Sequence, residues 1–544
     1  MAADADPVAL PPWSIDPAAK SSTPPALGDL LAAPSLKWPD CLAIDDGEVN
    51  YTFAQLEQSA QTVAAWLTEQ GVGAGDRVAV LAEKRAVMPV LAVAIWKCGA
   101  VYVPLDSTEP NNRLLGLLKR LQPMVVITLG DQELGSPVGR RLGKEQLAEI
   151  LSGPAVSHAT VARRPDEAAY IVFASGATGE PQGAEISVAN LLAYFGNHNE
   201  ILRITPESRV LSMTPFHFDV SLEDTLLPLS LGAFVYQFRS LSAGAVIRSV
   251  IARKEITHLI AVTMLLNMIT GDGRQISRTK LPSLELVMTG AQVCDPGVLQ
   301  VWTRGMPDTR IVQAFGPPEA TIFSFTYEIE REEAERMAAC PVGRPLRGMQ
   351  AKIIRNGVEI HDSGAQGELW VGGVQVMRGY FDQPEETARL VVEMDGTRFF
   401  RTGDICSYDG DGNIVFHQHD DECIAWLAGR RTHLSEVYRA ASNCSGVDRI
   451  LTSVVQRDNR DLVALVVESA KRQVVTNVAD HLRGILPEYM CPTLMVWSPA
   501  TSDKSTEKRD DRKVLQQLTK VAQQSNSNYF VVSSDGSLEI IDEV

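Results

Sequence analysis

Short apolar runs alternate with helical patterns over most of this chain, up to about residue 415. The series opens with DRVAVLAE (Asp76–Glu83), the helical pattern MPVLAVAIWKCG (Met88–Gly99) and AVYVPLD (Ala100–Asp106). Five further runs continue it: PMVVITL (Pro123–Leu129), AAYIVFAS (Ala168–Ser175), RVLSMTP (Arg209–Pro215), THLIAVT (Thr257–Thr263) and LELVMTG (Leu284–Gly290). Strands that are apolar on both faces are typical of parallel sheets covered by helices. The sequence therefore predicts an α/β fold with mixed, largely parallel sheets flanked by helices.

The composition changes near residue 420, where the polar stretch HQHDDE (His417–Glu422) ends the alternating series. A smaller α/β pattern follows, with a strand pattern at Leu462–Ser469 and a helical pattern at Val474–Leu486. We predict four segments and a hinge at Asp420: a flexible leader (1–25), a large N-terminal domain (26–419), a small mobile C-terminal lid domain (420–520) and a tail or linker (521–544).

The overall composition excludes several classes of protein. The net charge of -17 leaves no basic excess to neutralise phosphates, so we expect no nucleic-acid or anionic-membrane partner. The eight cysteines are scattered without a CxxC pair, which indicates reduced thiols and argues against a cysteine-bound metal. The first residues are too polar for a signal peptide, and no apolar run approaches the roughly 20 residues that cross a bilayer. We therefore expect a cytoplasmic protein.

The segment YIVFASGATGEPQGAEIS (Tyr170–Ser187) is the strongest single indication of a ligand site. A predicted strand leads into a loop rich in Gly, Ser and Thr, and a predicted helix begins at Val188. Such a loop offers backbone amides and hydroxyls to phosphate oxygens. The loop lacks the GK[ST] ending of a Walker loop. Taken alone, a loop of this composition is more often a surface turn.

Seven further motifs follow one another in a fixed order: YTFAQLE (Tyr51–Glu57), WKCGAVYVPLD (Trp96–Asp106), FDVS (Phe218–Ser221), AFGPPEAT (Ala314–Thr321), GELWVGGVQVMRGY (Gly367–Tyr380), RTGD (Arg401–Asp404) and LPEYMCP (Leu486–Pro492). With the phosphate loop, they resemble the core motifs of adenylate-forming enzymes, and most closely the adenylation domains of nonribosomal peptide synthetases. The resemblance covers Tyr51 to Leu515. It implies that ATP and Mg²⁺ are used to activate an amino acid carboxylate as aminoacyl-AMP, which then loads a phosphopantetheine carrier domain.

The resemblance also assigns nucleotide roles by position. It implies that the β- and γ-phosphates are bound by Ser175, Gly176, Thr178 and Gly179, and the adenine by Phe315 and Gly316. It also implies that Mg²⁺ is bound by Glu319, which takes part in catalysis, and that the ribose hydroxyls are bound by Asp404. A carboxylate suits Mg²⁺ and can accept from two hydroxyls, and an aromatic ring can stack on a base. Without the resemblance, Asp404 reads as a turn residue and Glu319 as a charge at a helix N-terminus.

Several family positions are altered in this chain. Gln182 stands in the phosphate loop where lysine is usual, and Pro318 replaces the usual threonine before Glu319. In the hinge block, Gln418 or His419 occupies the position of the usual arginine. These losses support an alternative, a degenerate adenylation domain with a structural or interaction role. An acyl-CoA synthetase is a third possibility, to be separated by thioester formation with free CoA.

The catalytic lysine of the family falls in the segment TSDKSTEKRDDRK (Thr501–Lys513). Lys508 matches the pattern if one acidic residue is inserted, whereas an ungapped match places Arg509 there. Lys504 is a third candidate. We favour Lys508.

The substrate positions of the family begin with Asp219 in FDVS, which matches the anchor for the α-ammonium group and so favours an α-amino acid. Without the resemblance, Asp219 reads as a cap for a helix starting at Ser221. The other pocket positions are Val220, Glu223, Met264, Met288, Gly290, Ala314, Ile322 and Phe323. Small and flexible residues predict a deep apolar pocket with one polar acceptor, Glu223.

A long side chain with a hydrogen-bond donor suits this pocket. One candidate is an N-acyl-N-hydroxyornithine of the kind used by fungal siderophore synthetases, which the chain also resembles. The rival is a basic side chain such as ornithine or lysine, for which Glu223 would be the counter-charge. We expect a single adenylation domain, either part of a larger synthetase or a stand-alone activator.

Overall fold

A computed structural model describes residues 26–130, 132, 138–176, 179–239, 243–419, 424–427, 430–457, 460–499, 518, 529–532 and 538–540. The predictions for the leader, Thr178, Asp420 and the three catalytic-lysine candidates lie outside these residues. The described chain divides into two compact units. The described residues of Met1–Ser107, Arg120–Val172 and Gly183–Asp420 form the larger unit, and those of Thr108–Lys119, Phe173–Gln182 and Asp421–Val544 form the smaller unit.

The helices are α1 (Ala32–Lys37), α2 (Phe53–Glu69), α3 (Met88–Lys97), α4 (Asn111–Leu121), α5 (Lys144–Ser152), α6 (Val188–Leu202), α7 (Leu227–Ser230), α8 (Gly244–Arg253), α9 (Thr263–Thr270), α10 (Pro296–Gly305), α11 (Arg331–Ala334), α12 (Pro384–Leu390), α13 (Leu434–Ser442) and α14 (Gln473–Ile485). Helix α6, which follows the phosphate loop, begins with a capping box in which Ser187 and Asn190 satisfy each other's backbone amides. A π-helical turn, Leu222–Leu226, leads directly into α7.

The strands are β1 (Leu42–Asp45), β2 (Asn50–Thr52), β3 (Arg77–Ala82), β4 (Val101–Asp106), β5 (Val125–Thr128), β6 (Arg140–Leu142), β7 (Ala168–Ala174), β8 (Gln182–Ser187), β9 (Arg209–Ser212), β10 (Phe234–Gln237), β11 (His258–Val262), β12 (Leu286–Gly290), β13 (Arg310–Phe315), β14 (Phe325–Glu328), β15 (Arg344–Pro345), β16 (Met349–Arg355), β17 (Val358–Glu359), β18 (Gly367–Gly373), β19 (Gly379–Tyr380), β20 (Val391–Met394), β21 (Thr397–Tyr408), β22 (Ile414–His419), β23 (Ile424–Leu427), β24 (Arg430–His433), β25 (Arg449–Arg457), β26 (Arg460–Ser469), β27 (Leu494–Pro499), β28 (Tyr529–Val532) and β29 (Leu538–Ile540).

Two large sheets have parallel centres. The nine-stranded sheet has the order β15-β14-β13-β12-β11-β9-β10-β1-β2, and its strands from β13 to β1 are parallel. The seven-stranded sheet has the order β19-β8-β7-β4-β3-β5-β6, in which β7, β4, β3, β5 and β6 pair in parallel. Each apolar run named from the sequence contains one of these strands, so the α/β prediction is confirmed.

A third sheet, of β16, β17, β18, β20, β21 and β22, pairs antiparallel throughout. None of the apolar runs named from the sequence falls on these strands, so the sequence did not reveal their pairing. The smaller unit contains the pair β23–β24 and the mixed sheet β25-β26-β27-β28-β29. A large and a smaller α/β part are therefore present as predicted, while the residue limits of the four segments stay predictions.

The parallel sheets and their helices share an extensive apolar core. Helix α3 is buried on every side and carries Trp96, whose indole N–H donates to the Ala169 carbonyl at 2.8 Å. Because α3 has no solvent face, its sequence is apolar at nearly every position. No helix within the described ranges combines the length and the apolar composition that crossing a bilayer requires.

Candidate functional site

Most predicted substrate and nucleotide residues of the larger unit lie at one edge of the nine-stranded sheet. Asp219 follows β9, and Met264 lies in the first turn of α9 just after β11. Gly290 ends β12, Phe315 ends β13, and Gly316 comes directly after β13. Since these strands run parallel, their carboxyl ends meet at the same edge, where open α/β sheets bind ligands. The fold therefore gathers residues that lie about a hundred positions apart in sequence.

Asp219 is a buried acid whose carboxylate accepts a hydrogen bond from the Ile322 backbone amide at 3.2 Å. Burial raises the pKa of Asp219 to about 7, although backbone hydrogen bonds oppose the shift. Within the described part of the chain, Asp219 forms no ion pair with a basic side chain. The adjacent helical turn begins at Leu222, and Asp219 does not cap it, because its carboxylate bonds to Ile322 instead.

The backbone beside Asp219 adopts an unusual conformation. Thr321 and Ile322 have φ angles of 58° and 67°, in the left-handed region that β-branched residues rarely occupy. The buried amide of Gln375 donates to the carbonyls of Ala320, Thr321 and Phe323, at 3.3, 3.4 and 2.8 Å. The Thr321 hydroxyl donates in turn to the Gln375 carbonyl at 2.6 Å. Gln375 therefore holds the turn that presents Ile322 to Asp219, a role that its place in GELWVGGVQVMRGY did not reveal.

Glu319 lies just before this turn and is also buried. The Tyr380 hydroxyl donates to its Oε1 atom at 2.7 Å, whereas its Oε2 atom is buried and has no partner among the described residues. An unpartnered carboxylate oxygen fits a ligand to Mg²⁺ or to a water of its hydration shell. No group of three or more potential metal ligands occurs among the described residues, so a bound Mg²⁺ would also need oxygens of the nucleotide or water.

The residues predicted to contact the nucleoside form two small groups. The Phe315 ring lies among aromatic side chains, 6.1 Å from the Phe325 ring and 6.5 Å from the Phe416 ring between centroids. The Asp404 Oδ1 atom lies 2.6 Å from Nδ1 of His419. His419 therefore places a ring nitrogen beside Asp404, although the family's usual arginine is absent. The sequence named His419 only as a departure from the family.

The predicted side-chain pocket is mainly apolar. Five of its positions belong to, or pack against, the extensive apolar core of the larger unit: Val220, Met288, Ala314, Ile322 and Phe323. Gly290 belongs with them because a Cβ atom there would lie only 2.7 Å from the Phe323 ring. Met264 differs, since it packs against a separate cluster that includes Leu265 and Leu266 of the same helix. A Cβ atom on Gly290 would also lie 3.0 Å from the Ala314 carbonyl oxygen, so the structure places Gly290 beside Ala314 and Phe323, whereas Met264 packs in a different hydrophobic cluster.

Glu223 has two polar neighbours that the sequence did not indicate. Its Oε1 atom lies 2.8 Å from Nδ1 of His198, and both side chains have no solvent exposure. The Tyr194 hydroxyl lies within hydrogen-bonding distance of the same His198 nitrogen. Burial is the main cause that raises the pKa of Tyr194, and the Glu223 carboxylate is the second cause. Tyr194 and His198 lie four residues apart on α6, a spacing that places them on one helix face and could have suggested their pairing.

The described part of the phosphate loop belongs to the smaller unit. The Ser175 hydroxyl accepts from the His433 backbone amide at 2.9 Å, and the Gly176 carbonyl accepts from the Ser435 hydroxyl at 3.1 Å. Gly179 has a φ angle of 75°, where a side chain would be strained, and a Cβ atom there would lie 3.0 Å from Arg439. The loop is therefore tightly packed against the first turn of α13.

Gln182, which replaces the family lysine, also packs within this loop. Its side chain is buried and lies where a Cβ atom on Gly176 would be, at 2.6 Å. The neighbouring Glu180 forms an ion pair with Arg439 at 2.8 Å. Gln182 therefore fills space against Gly176 and supplies no positive charge to the loop.

Comparison with known proteins gives three kinds of match. A family model for AMP-binding enzymes matches residues 32–381. The chain is 29% identical over 484 residues to the probable non-canonical nonribosomal peptide synthetase CymA of Salinispora arenicola, and 28% identical over 514 residues to the phenyloxazoline synthase MbtB of Mycolicibacterium paratuberculosis. These alignments cover 88% and 92% of this chain, but only 6% and 43% of the two relatives.

Among solved structures, the fold matches NpsA-ThdA, an artificially fused adenylation–PCP di-domain nonribosomal peptide synthetase from Klebsiella oxytoca. The TM-score is 0.76 at 21% sequence identity, over 91% of this chain and 96% of that chain. At this level of identity the match concerns the fold alone.

Proposed function

Because the chain belongs to the AMP-binding enzyme family, we propose that it activates the carboxylate of an amino acid as aminoacyl-AMP at the expense of ATP. A carboxylate oxygen of the substrate attacks the α-phosphorus, and the bond from that phosphorus to the bridging oxygen breaks as pyrophosphate leaves. A phosphopantetheine thiol of a carrier domain then attacks the acyl carbon, forming a thioester and releasing AMP. The carrier is a proposed partner.

The observation that carries this proposal is the buried Asp219 carboxylate without a described cationic partner. A buried charge is costly unless it is paired, and the α-ammonium group of an amino acid would supply the missing cation. A fatty or aryl acid has no such group. Asp219 therefore favours an amino acid substrate over the substrates of an acyl-CoA synthetase.

The nucleotide roles are proposed from the geometry of the same unit and from the phosphate loop. Glu319 would hold Mg²⁺ through the buried oxygen that lacks a partner. When bound, Mg²⁺ neutralises charge on the phosphates and eases the departure of pyrophosphate. Phe315 and Gly316 would lie against the adenine, and Asp404 would accept from the ribose hydroxyls. Ser175, Gly176, Thr178 and Gly179 would cradle the β- and γ-phosphates.

Two finer proposals concern the substrate and the compartment. The apolar pocket with buried Glu223 suits a long side chain, with N-acyl-N-hydroxyornithine and a basic ornithine or lysine as the rival candidates. We propose a cytoplasmic location because the described cysteines are free thiols and most are buried.

The test is exchange of labelled pyrophosphate into ATP across a panel of amino acids, with Asp219→Ala and Glu319→Gln as matched variants. Exchange that depends on one amino acid and is lost in both variants would support the proposal. ATP binding by calorimetry without exchange on any amino acid would favour a degenerate domain. Thioester formation with free CoA, unaffected by Asp219→Ala, would favour an acyl-CoA synthetase.

A further inference from the structure

Glu223 and His198 form a fully buried pair beside the pocket proposed for the substrate side chain. The two residues come from the π-helical turn and from α6, and the Oε1 and Nδ1 atoms lie 2.8 Å apart. The His198 ring packs edge-on against Phe323, with centroids 6.0 Å apart, and Phe323 in turn covers Gly290. The pair therefore borders the apolar side-chain pocket.

Three buried atoms of this pair have no hydrogen-bond partner among the described residues: both carboxylate oxygens of Glu223 and the Nε2 atom of His198. Of these, Glu223 Oε2 and His198 Nε2 also lie outside the Oε1–Nδ1 contact. Buried polar atoms in proteins are nearly always hydrogen-bonded, because leaving one unpaired is costly. Two such atoms on a single pair, next to an apolar pocket, indicate that a bound polar group completes their hydrogen bonds.

The charges at the pair restrict what that group can be. In the part of the chain that the structure describes, no lysine or arginine forms an ion pair with Glu223, and the His198 imidazole is the basic group beside it. An imidazolium–carboxylate pair carries no net charge and presents one N–H donor and one carboxylate acceptor. A cationic side chain would then meet no free counter-charge. A hydrocarbon end would leave both atoms unpaired.

We infer that His198 and Glu223 form an ion pair that determines specificity, and that this pair selects an amino acid whose side chain ends in an uncharged group that both donates and accepts a hydrogen bond. Amides and hydroxamates have this chemistry, whereas ornithine and lysine do not. The inference rests on the proposed function and names the substrate class of the same site.

The experiment compares two substrates of one carbon skeleton, δ-N-acetylornithine and ornithine, in pyrophosphate exchange. We expect the wild type to favour the acetylated compound by about 100-fold in kcat/KM, since ornithine lacks the acceptor and adds a charge. His198→Leu removes both ring nitrogens and leaves Glu223 as an uncompensated charge. Its preference should fall by about tenfold or more, because ornithine then gains a counter-ion.

A matched control is His258→Gln, which alters another buried histidine, one whose Nε2 atom lies 3.0 Å from the Leu202 carbonyl. This change should leave the substrate preference unchanged. If His198→Leu does not fold, His198→Gln, which keeps a hydrogen-bond donor without a charge, is measured for the same ratio.

Equal losses for both substrates in the His198 variant would show a purely structural role and overturn the inference. A wild type that prefers ornithine would overturn it as well, while leaving amino acid activation intact. Silence of the wild type on every amino acid, with ATP still bound, would instead contradict the proposed function and the inference with it.

Discussion

At the scale of single residues, the site depends on acids that the fold removes from water. Asp219, Glu223 and Glu319 are each at most 6% exposed. Each has a different environment: a backbone amide for Asp219, a histidine for Glu223 and a tyrosine hydroxyl for Glu319. Environment therefore separates three chemically similar side chains into three proposed roles, an ammonium anchor, a side-chain reader and a metal ligand.

The buried Asp219 predicts a pH-dependent affinity for the amino acid. Its pKa of about 7 means that the carboxylate becomes protonated as the pH falls below neutrality, whereas the α-ammonium group of the substrate keeps its charge. We expect the amino acid KM to rise by about tenfold for each pH unit below the pKa. Asp219→Asn should bind weakly with no such slope, and dividing the two KM profiles cancels the titration of ATP. Parallel slopes in both proteins would contradict this assignment.

The same acid affects stability with a defined sign. The pKa of Asp219 in the folded protein lies above its ordinary value of 3.8, so the cost of burying the charge is absent below that value and complete above about pH 7. Asp219→Asn should therefore unfold at higher urea concentration than the wild type at pH 8. This advantage should shrink steadily as the pH approaches 4.

The hydrogen bond from Tyr380 to Glu319 predicts that loss of the Tyr380 hydroxyl raises the Mg²⁺ concentration that the exchange reaction requires. Tyr380→Phe removes the hydroxyl that donates to Glu319 at 2.7 Å, so the carboxylate is held less firmly. The Mg²⁺ concentration for half-maximal exchange should rise by about tenfold, as for loss of a hydrogen bond to a charged group. Tyr327→Phe, which removes a different tyrosine–glutamate bond, to Glu333, is the control and should leave it unchanged. Equal Mg²⁺ curves for Tyr380→Phe and wild type would exclude this role.

At the scale of elements, the turn over residues 319–323 connects the proposed metal ligand to the substrate pocket. It begins with a short 3₁₀ turn, Pro318–Ala320, and continues through the left-handed Thr321 and Ile322. The replacement of the family threonine by Pro318 is compatible with this geometry, because proline is well tolerated at the start of a helical turn. Gln375, from the segment between β18 and β19, stabilises this strained turn through its hydrogen bonds to the turn carbonyls.

Gln375→Ala tests this arrangement. Three backbone carbonyls would lose their donor in a buried site, and the free energy of unfolding should fall by about 1–3 kcal/mol. The amino acid KM should rise with it, since Ile322 would no longer be held beside Asp219. The exposed Gln350 lies on the neighbouring strand β16, and Gln350→Ala serves as the control in both urea unfolding and exchange assays. Unchanged stability and an unchanged KM in Gln375→Ala would show that Gln375 does not support the site.

At the scale of the whole molecule, the smaller unit is assembled from distant segments. Arg113 of α4 bonds to Glu109 at 2.6 Å and also to Glu436 of α13, so residues 108–119 associate with the C-terminal residues of that unit. The phosphate loop is bound in the same unit through Ser175 and Gly176. Part of the proposed ATP site is therefore held by contacts that the C-terminal sequence supplies.

The catalytic cation proposed in the C-terminal segment gives a prediction at this scale. Lys508→Ala should slow adenylate formation by about 10²- to 10³-fold, the loss typical for one group that stabilises transition-state charge. Lys504→Ala and Arg509→Ala should stay within a few-fold of wild type. Carrier loading from chemically supplied aminoacyl-AMP should be spared in all three variants. A large loss in Arg509→Ala alone would transfer the role to that residue.

The sequence by itself determined the fold class and the chemistry of the family. Apolar runs of strand length between helical patterns predict parallel sheets because burial on both faces depends on local composition. Ordered motifs likewise located Asp219, Glu319, Phe315 and Asp404, since each lies in a short motif that can be recognised without knowing its neighbours in space.

Only the tertiary structure decided how those residues are paired. The structure pairs Glu223 with His198, Glu319 with Tyr380 and Asp404 with His419, which are residues up to 61 positions apart. It also brings Gln375, from the connection between β18 and β19, to the turn over residues 320–323. The tertiary structure likewise decided the antiparallel pairing of the third sheet and the packing of Met264 in a hydrophobic cluster apart from the other pocket positions. Such contacts depend on which surfaces meet when the sheets pack, and a local pattern holds no information about a partner that the fold brings from elsewhere.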